Sequence, residues 1–347
     1  MLIAFFVNDM EREFAGYTTT VLAYEAASRG HRVCYVTPSD FVLNPDDSLS
    51  VHGRFAPKKK YQDRPEFFET LTKKAKVEVV DMAEVDVLML RNDPSIDAQA
   101  NPWAMDVGIL FGREAAKRGV IVVNDPDSLS KAINKLYFQS FPAEARAETL
   151  ITKHSADIKA FAKEHGGQII LKPLQGSGGS GVFKLDTKNA SNLNQMIEAI
   201  GRDGYIIAQA YVPAASKGDI RFFLMNGVPL RIGDKYCALR RVASADDIRS
   251  NIHAGGTAEA VEIGETELRV VEMIRPKLIA DGMFLVGVDI VGDKILEVNV
   301  FSPGNLNSCS TLNGVDFAVP IVDSLERKVA IAKQYSQTFD NRHLAIL

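Results

Sequence analysis

The chain has 347 residues, two to three times a common domain length and enough for a large core without disulfides or a structural metal. Forty basic against forty-four acidic side chains leave a net charge of −4, which gives no sign of nucleic acid or an anionic membrane as a partner. Three cysteines without metal or redox spacing predict a reduced, cytoplasmic protein. No apolar run approaches the roughly 20 residues of a membrane span.

Strand and helix alternate in the first third of the chain. Leu2–Val7 is a continuous apolar run, typical of a strand buried on both faces. Thr18–Arg29 has helical spacing and ends at Gly30. This alternation predicts a parallel α/β layer. Its other predicted parts are strands at 31–36, 85–90 and 120–123, a helix at 103–118, and a polar surface excursion of little periodicity over 38–65.

The pattern changes after Asn124. A turn at 125–128 leads to a helix that holds Asn134 and Lys135. From Ile169 onward, strands punctuated by glycine and joined by short turns predict mixed or antiparallel sheet. We therefore expect boundaries near residues 125 and 200.

A glycine-rich loop, Gln175–Gly181, reads QGSGGSG. Its last six residues match GxGxxG, but the dinucleotide fingerprint needs a helix directly afterwards, and residues 182–185 have the pattern of a strand. A hairpin flap whose bare amides close over phosphates fits this order, and so does a flexible surface hairpin. Lys172, in the apolar strand before the loop, either extends to solvent or points at an anion.

The strongest pattern is a hairpin over 286–300, predicted to turn at the three residues 292–294. That turn places Asp289 directly opposite Glu297, and Asn299 on the same face as Glu297. Two facing carboxylates among apolar residues repel each other, and a hard cation such as Mg²⁺ relieves the repulsion. An exposed polar edge is the alternative, and a two-residue turn would shift the register.

Arginines cluster between the loop and the hairpin. Guanidinium groups bind carboxylates and phosphates through two hydrogen bonds, so the cluster indicates an anionic second substrate, although each arginine alone is typical of a surface. The cluster comprises Arg221, Arg231, Arg240, Arg241 and Arg249.

These residues together resemble the ATP-grasp ligases, most closely the bacterial glutathione synthetase family, over residues 1 to about 330. The stretches that carry the resemblance are 122–126, 134–136, 170–173, 175–181, 208–213, 218–221, 254–256, 288–290, 297–300 and 302–303. The resemblance implies an ATP-grasp fold preceded by a Rossmann-like (pre-ATP-grasp) parallel α/β domain. It divides the chain into 1–124 (Rossmann-like), 125–204 (lid subdomain), 205–335 (C-terminal subdomain with the metal site) and 336–347 (tail).

The family's roles extend to matching positions of this chain. For the nucleotide they are Lys135, Lys172, the lid Gln175, Gly176, Ser177, Gly178, Gly179, Ser180 and Gly181, the adenine-side segment Gln209, Ala210, Tyr211 and Val212, and Asp219. The metal ligands would be Asp289, Glu297 and Asn299; the catalytic residues Arg221, Arg241 and Lys172; and the substrate-binding residues Arg241, Arg249, Asn251 and Ser302.

The implied reaction joins a carboxylate to an amine through an acyl phosphate, with ATP and Mg²⁺ (or Mn²⁺) as cofactors. The leading candidate is the synthesis of glutathione from γ-glutamylcysteine and glycine. The family also implies small-molecule partners and a homo-oligomer, either a dimer or a tetramer. Three departures lie on the substrate side: residues 304–312 carry no charge, 231–235 resembles an insertion, and 242–248 replaces a glycine-rich loop. A ligase for another amino-acid or dipeptide pair, or a nucleotide-binding regulator, are the alternatives.

Overall fold

A computed structural model describes residues 1–58, 60–176, 181–186, 193–202, 204–242, 256–335 and 339–347. The first part of the chain forms a seven-stranded sheet covered by helices. Its strands are β1 (Leu2–Phe6), β2 (Arg32–Val36), β3 (Phe41–Leu43), β4 (Leu49–Phe55), β5 (Val77–Asp81), β6 (Val87–Leu90) and β7 (Ile121–Val123). Its helices are α1 (Thr18–Ser28), α2 (Arg64–Lys74), α3 (Pro94–Ala100), α4 (Val107–Lys117) and α5 (Pro126–Lys131).

The centre of this sheet confirms the predicted parallel layer. The order is β3-β4-β2-β1-β6-β7, with β5 beside β4, and β2, β1, β6 and β7 run parallel. Every residue of β1 is buried, as expected for a strand with helices on both sides.

Three predictions in this region were wrong. The predicted turn at 125–128 is the start of α5, and the helix ends at Lys131, so Asn134 caps a separate 3-10 turn, Lys135–Ser140. The stretch 38–65 contains β3 and β4, which extend the sheet in antiparallel fashion. In β4, buried residues alternate with less buried ones, so a two-residue period was present, but Gly53 stands at one of its buried positions where an apolar side chain would have marked it. The predicted helix over 103–118 begins only at Val107, because Pro102–Ala104 forms a separate 3-10 turn.

A four-stranded antiparallel sheet follows, in the order β10-β9-β11-β8. Its elements are β8 (Thr149–Thr152), α6 (Ser155–Glu164), β9 (Gln168–Pro173), β10 (Phe183–Asp186), α7 (Leu193–Gly201) and β11 (Ile206–Ala210). The sheet has a small hydrophobic core of its own, which includes Ile158, Leu171 and Ile206. It therefore packs largely independently of the larger cores.

The last part of the chain forms a six-stranded sheet. Its main path is β17-β16-β12-β18-β19, with β13 beside β12. The strands are β12 (Asp219–Met225), β13 (Val228–Pro229), β16 (Ala238–Val242), β17 (Thr257–Glu259), β18 (Leu285–Val291) and β19 (Lys294–Asn299), while β14 (Arg231–Ile232) and β15 (Lys235–Tyr236) pair separately. The helices are α8 (Glu265–Ala280), α9 (Leu306–Asn313), α10 (Ala318–Gln334) and α11 (Asn341–Leu344).

Two asparagine side chains join the first sheet to the rest of the molecule. Asn124, just past β7, accepts a hydrogen bond from the backbone nitrogen of Leu285 (2.9 Å) and donates one to the oxygen of Leu285 (3.1 Å). Asn341 of α11 makes the same pair of contacts with the backbone of Val122, at 2.7 and 3.0 Å. Each amide thus takes the place of a neighbouring strand.

None of the described helices is long and apolar enough to cross a membrane.

Candidate active site

The six-stranded sheet carries a row of charged side chains that come from four neighbouring strands. The register pairs Asp219 of β12 with Arg241 of β16, and Arg221 of β12 with Asp289 of β18. Asp289 is paired in turn with Glu297 of β19. Directly opposed residues point to the same face of a sheet, so the backbone pairing alone brings these five side chains together.

Asp289 is bound by two arginines at once. Arg221 donates to both of its carboxylate oxygens, from Nε at 2.5 Å and from Nη2 at 3.0 Å. Arg241 Nη2 adds a third bond at 2.6 Å. Burial raises the pKa of Asp289, but the two guanidiniums outweigh it and hold the pKa below its ordinary value. The carboxylate therefore stays ionised.

Arg241 links this cluster to a second carboxylate. Its Nε and Nη2 donate to Asp219 at 3.0 and 2.5 Å. Burial lowers the pKa of Arg241, while Asp289 and Asp219 raise it by more. The neighbouring Gly218 has a φ of +87°, and a Cβ there would lie 2.0 Å from the backbone oxygen of Arg241. Only glycine permits this close approach.

The hairpin of β18 and β19 reaches the predicted pairing by a different route from the one expected. Its turn has two residues, not three, because Val291 pairs with Lys294. Ile290 pairs with Ile295 and Asp289 with Glu297, so Leu296 is an additional residue on β19. This β-bulge restores the register that the shorter turn would have shifted. The predicted turn was wrong, and the predicted opposition of the two carboxylates is confirmed.

Glu297 and Asn299 face the cleft with oxygen atoms available. Among the described residues, no hydrogen bond or ion pair to Glu297 is present, whereas Asn299 donates from Nδ2 to the oxygen of Gly287 at 3.3 Å. That bond leaves Oδ1 of Asn299 as an acceptor. No cluster of three or more His, Cys, Asp or Glu side chains suited to a metal is found in the described ranges. The predicted ligand set has only two carboxylates, and an amide completes it.

Two lysines line the cleft: Lys172 of the four-stranded sheet, and Lys135 at the start of a 3-10 turn before that sheet. Lys172 lies near the end of β9, and its Nζ donates to Oε1 of Gln209 at 3.1 Å. Burial lowers the pKa of Lys172 to about 8; Glu297 and Asp289 oppose this, and the nearby Lys135 adds to it. The Nζ of Lys135 donates to the backbone oxygen of Gly176. Both ammonium groups are thus held by neutral oxygens.

The glycine-rich loop connects β9 to β10, and these strands pair in antiparallel register. The predicted order of strand, loop and strand is confirmed, and it excludes the dinucleotide interpretation. Gly176 and Gly181 have φ values of +126° and +70°, which glycine adopts without strain. Ser177, Gly178, Gly179 and Ser180 lie outside the described residues, as do Arg249 and Asn251.

The predicted adenine-side segment leads from one sheet to the other. Gln209 and Ala210 end β11, and Tyr211 and Val212 precede a 3-10 turn that runs into β12. The Nζ of Lys184 on β10 lies 3.6 Å from the centre of the Tyr211 ring, a cation–π contact.

One cleft brings eight of the predicted residues together. Its lining includes Lys135, Lys172, Gln175, Gly176, Gln209, Glu297, Asn299 and Ser302. Asp219, Arg221, Arg241 and Asp289 are not among the residues that line it; they form the buried layer behind Glu297.

The N-terminal domain also lines this cleft, which the sequence analysis missed. Asp93, Pro94 and Ser95 form the wall, and Ser95 donates to Asp93 from its amide and its hydroxyl, at 2.9 and 2.6 Å. These residues follow β6 at its carboxyl end, where ligands of open α/β sheets bind. The polar run that begins at Arg91, directly after four apolar residues, was the available signal.

Two family models match this chain. The model described as prokaryotic glutathione synthetase, N-terminal domain, matches residues 1–130, and that described as prokaryotic glutathione synthetase, ATP-grasp domain, matches residues 134–314. A protein named glutathione synthetase from Mesorhizobium japonicum is 36% identical over 318 residues, covering 90% of this chain and 94% of that protein. One of the same name from Vibrio parahaemolyticus is 31% identical over 311 residues, covering 88% and 91%.

Solved structures show the same fold at low identity. D-cycloserine synthetase DcsG aligns with a TM-score of 0.59 at 14% identity, covering 94% of this chain and 100% of that chain. The ATP-grasp ligase PsnB, complexed with a minimal precursor, Mg and ADP, aligns at 0.56 and 17%, covering 94% and 98%. D-alanyl-alanine synthetase A from Vibrio cholerae aligns at 0.55 and 13%, covering 95% and 98%.

Proposed function

Since the chain belongs to the prokaryotic glutathione synthetase family, we propose that it joins γ-glutamylcysteine to glycine with hydrolysis of ATP to ADP and phosphate. The class of reaction, ATP-dependent formation of a C–N bond, comes with the family. The observation that carries the specific pair is the match of both family domains, together with relatives of that name over 88–90% of the chain.

The reaction would proceed in two steps. The cysteinyl carboxylate attacks the γ-phosphorus of ATP, forming an acyl phosphate and releasing ADP. The amine of glycine then attacks the acyl carbon, loses a proton, and displaces phosphate to leave an amide. No nucleophilic side chain is needed, so the protein acts by positioning and by electrostatic stabilisation. Water must be excluded, because it would hydrolyse the acyl phosphate.

The cations of the cleft and of the buried layer behind it have separate roles in this proposal. Lys172 and Lys135 hold the phosphates of ATP, and the loop Gln175–Gly181 covers them as a lid. Gln209–Val212 and Asp219 belong to the nucleotide side. Arg221 stabilises charge on the transferred phosphoryl group, with Arg241 beside it. The pairing of these arginines with Asp289 supports the roles, because it fixes their positions before substrate binds.

The remaining carboxylates fit a divalent cation. Glu297 and Oδ1 of Asn299 present the hard oxygen donors that Mg²⁺ prefers, and Asp289 stands directly opposite Glu297. We propose these three residues as the ligands, with Mn²⁺ as an alternative ion. Bound Mg²⁺ supplies positive charge to the phosphoryl oxygens. Because both oxygens of Asp289 also bind guanidiniums, the two arginines hold that ligand in place.

The residues proposed for the peptide substrate lie at and around Ser302. Ser302 lines the cleft, and we propose that it contacts the peptide, with Arg241, Arg249 and Asn251. The uncharged segment 304–312 favours a second candidate, a ligase of the same mechanism for another amino-acid or dipeptide pair.

The subcellular and oligomeric setting is also a proposal. Three buried free thiols, Cys34, Cys237 and Cys309, suit the reducing cytoplasm. We propose a homo-oligomer, either a dimer or a tetramer, which light scattering of the purified protein would test. We also propose the division of the chain at residues 124, 204 and 335.

The deciding experiment measures ADP release with Mg-ATP, γ-glutamylcysteine and glycine, omitting each in turn. We expect release to need all three, with glutathione identified by mass spectrometry. Release with other acid and amine pairs only would overturn the glutathione assignment and support the second candidate. Nucleotide binding without turnover of any pair would contradict both and favour a regulator.

A further inference from the structure

The segment Ser302–Asn307, which follows β19, is contacted by three arginines from three different parts of the chain. Arg91, after β6, donates from Nη2 to the oxygen of Pro303 at 3.0 Å. Arg221 donates from Nη1 to the oxygen of Gly304 at 3.3 Å. Arg64, the first residue of α2, donates from Nη2 to Oδ1 of Asn307 at 2.6 Å. The segment has no charge of its own.

The three guanidiniums differ in how their charge is balanced. Arg221 is paired with Asp289. Arg91 is 2% exposed and interacts with the buried Glu13, whose pKa burial raises to about 7. Among the described residues Arg64 forms no ion pair, and its buried Nε has no hydrogen-bond partner. A buried donor without a partner is unfavourable, and Arg64 carries one although its Nη2 binds Asn307.

Arg64 contacts the segment that continues from the cleft wall; the residues that line the cleft include Ser302 but neither Arg64 nor Asn307. Its partner Asn307 is in the first turn of α9, five residues after Ser302 of the cleft wall. The preceding Leu306 donates from its amide to Oγ1 of Thr18 at 3.4 Å. A Cβ on Gly16 would lie 3.8 Å from Nδ2 of Asn307. Arg64 therefore stands where the N-terminal domain meets the segment after the metal hairpin.

The length of this segment sets an upper limit on how far apart the contacts of Arg221 and Arg64 lie. Asn307 is three residue steps from Gly304, whose carbonyl Arg221 binds, and three steps span at most about 11 Å. The two carboxylates of γ-glutamylcysteine are a little more than two residues of extended chain apart, about 8 Å. This limit accommodates a peptide whose reacting carboxylate lies near Arg221 and whose other carboxylate lies near Arg64.

We propose that Arg64 binds the non-reacting carboxylate of the acid substrate, the α-carboxylate of the γ-glutamyl group, while Asn307 fixes the guanidinium. This inference rests on the proposed function. A planar guanidinium offers a carboxylate two parallel hydrogen bonds, which gives both orientation and selectivity. Arg64 would then select acids that carry this second carboxylate, a task for which the uncharged segment 304–312 has no side chain.

The test compares Arg64→Gln and Arg64→Lys with wild-type protein, varying γ-glutamylcysteine, glycine and ATP separately. We expect Arg64→Gln to raise KM for γ-glutamylcysteine about 10- to 100-fold, the effect of a lost charged hydrogen bond. Arg64→Lys should raise it less, and KM for glycine and ATP should stay unchanged. Arg113→Gln is the matched control, because Arg113 pairs with Asp127 elsewhere on the N-terminal domain.

A second peptide separates recognition from a structural role of the Arg64–Asn307 contact. In 4-aminobutanoyl-cysteine the α-carboxylate is absent, so wild-type KM should already be high and Arg64→Gln should not raise it further. An equal increase for both peptides, or wild-type KM values that do not differ between them, would overturn the inference. Wild-type protein that makes no glutathione would instead overturn the proposed function, before any variant is compared.

Discussion

The two sheets that face the cleft treat their charges in opposite ways. On the six-stranded sheet, Asp289, Arg221 and Arg241 are at most 5% exposed and bind one another directly. On the other side of the cleft, Lys172 of β9 and Lys135, the first residue of a 3-10 turn before β8, are held only by an amide and a backbone carbonyl. The first arrangement is complete without a ligand, whereas the second keeps positive charge uncompensated. The ion pairs of the six-stranded sheet therefore maintain the geometry of the site, and the two lysines provide the attraction for an anion.

The largest expected effect is a loss of stability when the ion pairs of the six-stranded sheet are broken. Asp289→Asn leaves Arg221 buried without a carboxylate, and we expect it to lower the free energy of unfolding by about 3–5 kcal/mol. Urea denaturation measures the loss. Asp293→Asn, in the turn of the same hairpin with a side chain 56% exposed, is the control and should change little. Equal stability of the two variants would show that the ion pairs do not fasten this sheet.

Lys172→Met removes one of the two lysines of the cleft and should reduce activity without reducing stability. We expect turnover to fall by about 10²–10³, because a cation on developing phosphoryl charge is lost. The free energy of unfolding should stay unchanged or rise, since an unpaired, partly buried charge is replaced by an apolar group. Lys163→Met, on exposed α6, is the control in the same rate and urea assays. A near-normal rate would remove Lys172 from the mechanism.

Glu297→Gln tests the proposed metal ligand that lines the cleft between the two sheets. We expect the affinity for nucleotide in the presence of Mg²⁺ to fall by about 10- to 100-fold, the range seen when groups around a metal are altered. Affinity without Mg²⁺ should be preserved. Isothermal titration with and without the ion measures both, and Glu272→Gln on α8 is a control. Unchanged affinity in both conditions would make the hairpin purely structural.

The smallest effect is a pH dependence of nucleotide binding. Because the pKa of Lys172 is about 8, its ammonium is present below pH 8 and is lost from the free protein above it. Bound phosphate favours the charged form, so binding above pH 8 takes up a proton, and affinity should fall by up to about tenfold per pH unit. Lys172→Arg stays charged and should show a flat profile. A wild-type profile that is flat between pH 7 and 9.5 would contradict this role.

Much of this organisation followed from the sequence, because it depended on local pattern. The apolar run of β1 and the glycine loop between two strands indicated their structures directly. The hairpin predicted over 286–300 placed the carboxylates of Asp289 and Glu297 opposite each other, as the structure does. The bulge at Leu296 did not follow, because no residue type marks it, and the opposition of Asp289 and Glu297 came out right although the turn length was wrong.

Contacts between distant parts of the chain could not be predicted. Nothing local pairs Arg221 and Arg241 with Asp289, since that depends on which strands become neighbours. The hydrogen bond from Arg64 to Asn307 spans 243 positions and depends on the docking of two domains. The strands within 38–65 were missed because β3 is short and because Gly53, at a buried position of β4, removes one of the few apolar residues that would mark the two-residue period.

The additional residue Leu296 lies between the turn of the hairpin and the paired carboxylates, Asp289 and Glu297. An insertion at the turn, balanced by deletion of Leu296, would leave the opposed carboxylates where they are, since the two changes cancel before the strand reaches Glu297. A three-residue turn without the bulge and a two-residue turn with it therefore lead to the same opposed carboxylates. Two different turn geometries are thus compatible with one arrangement of the site.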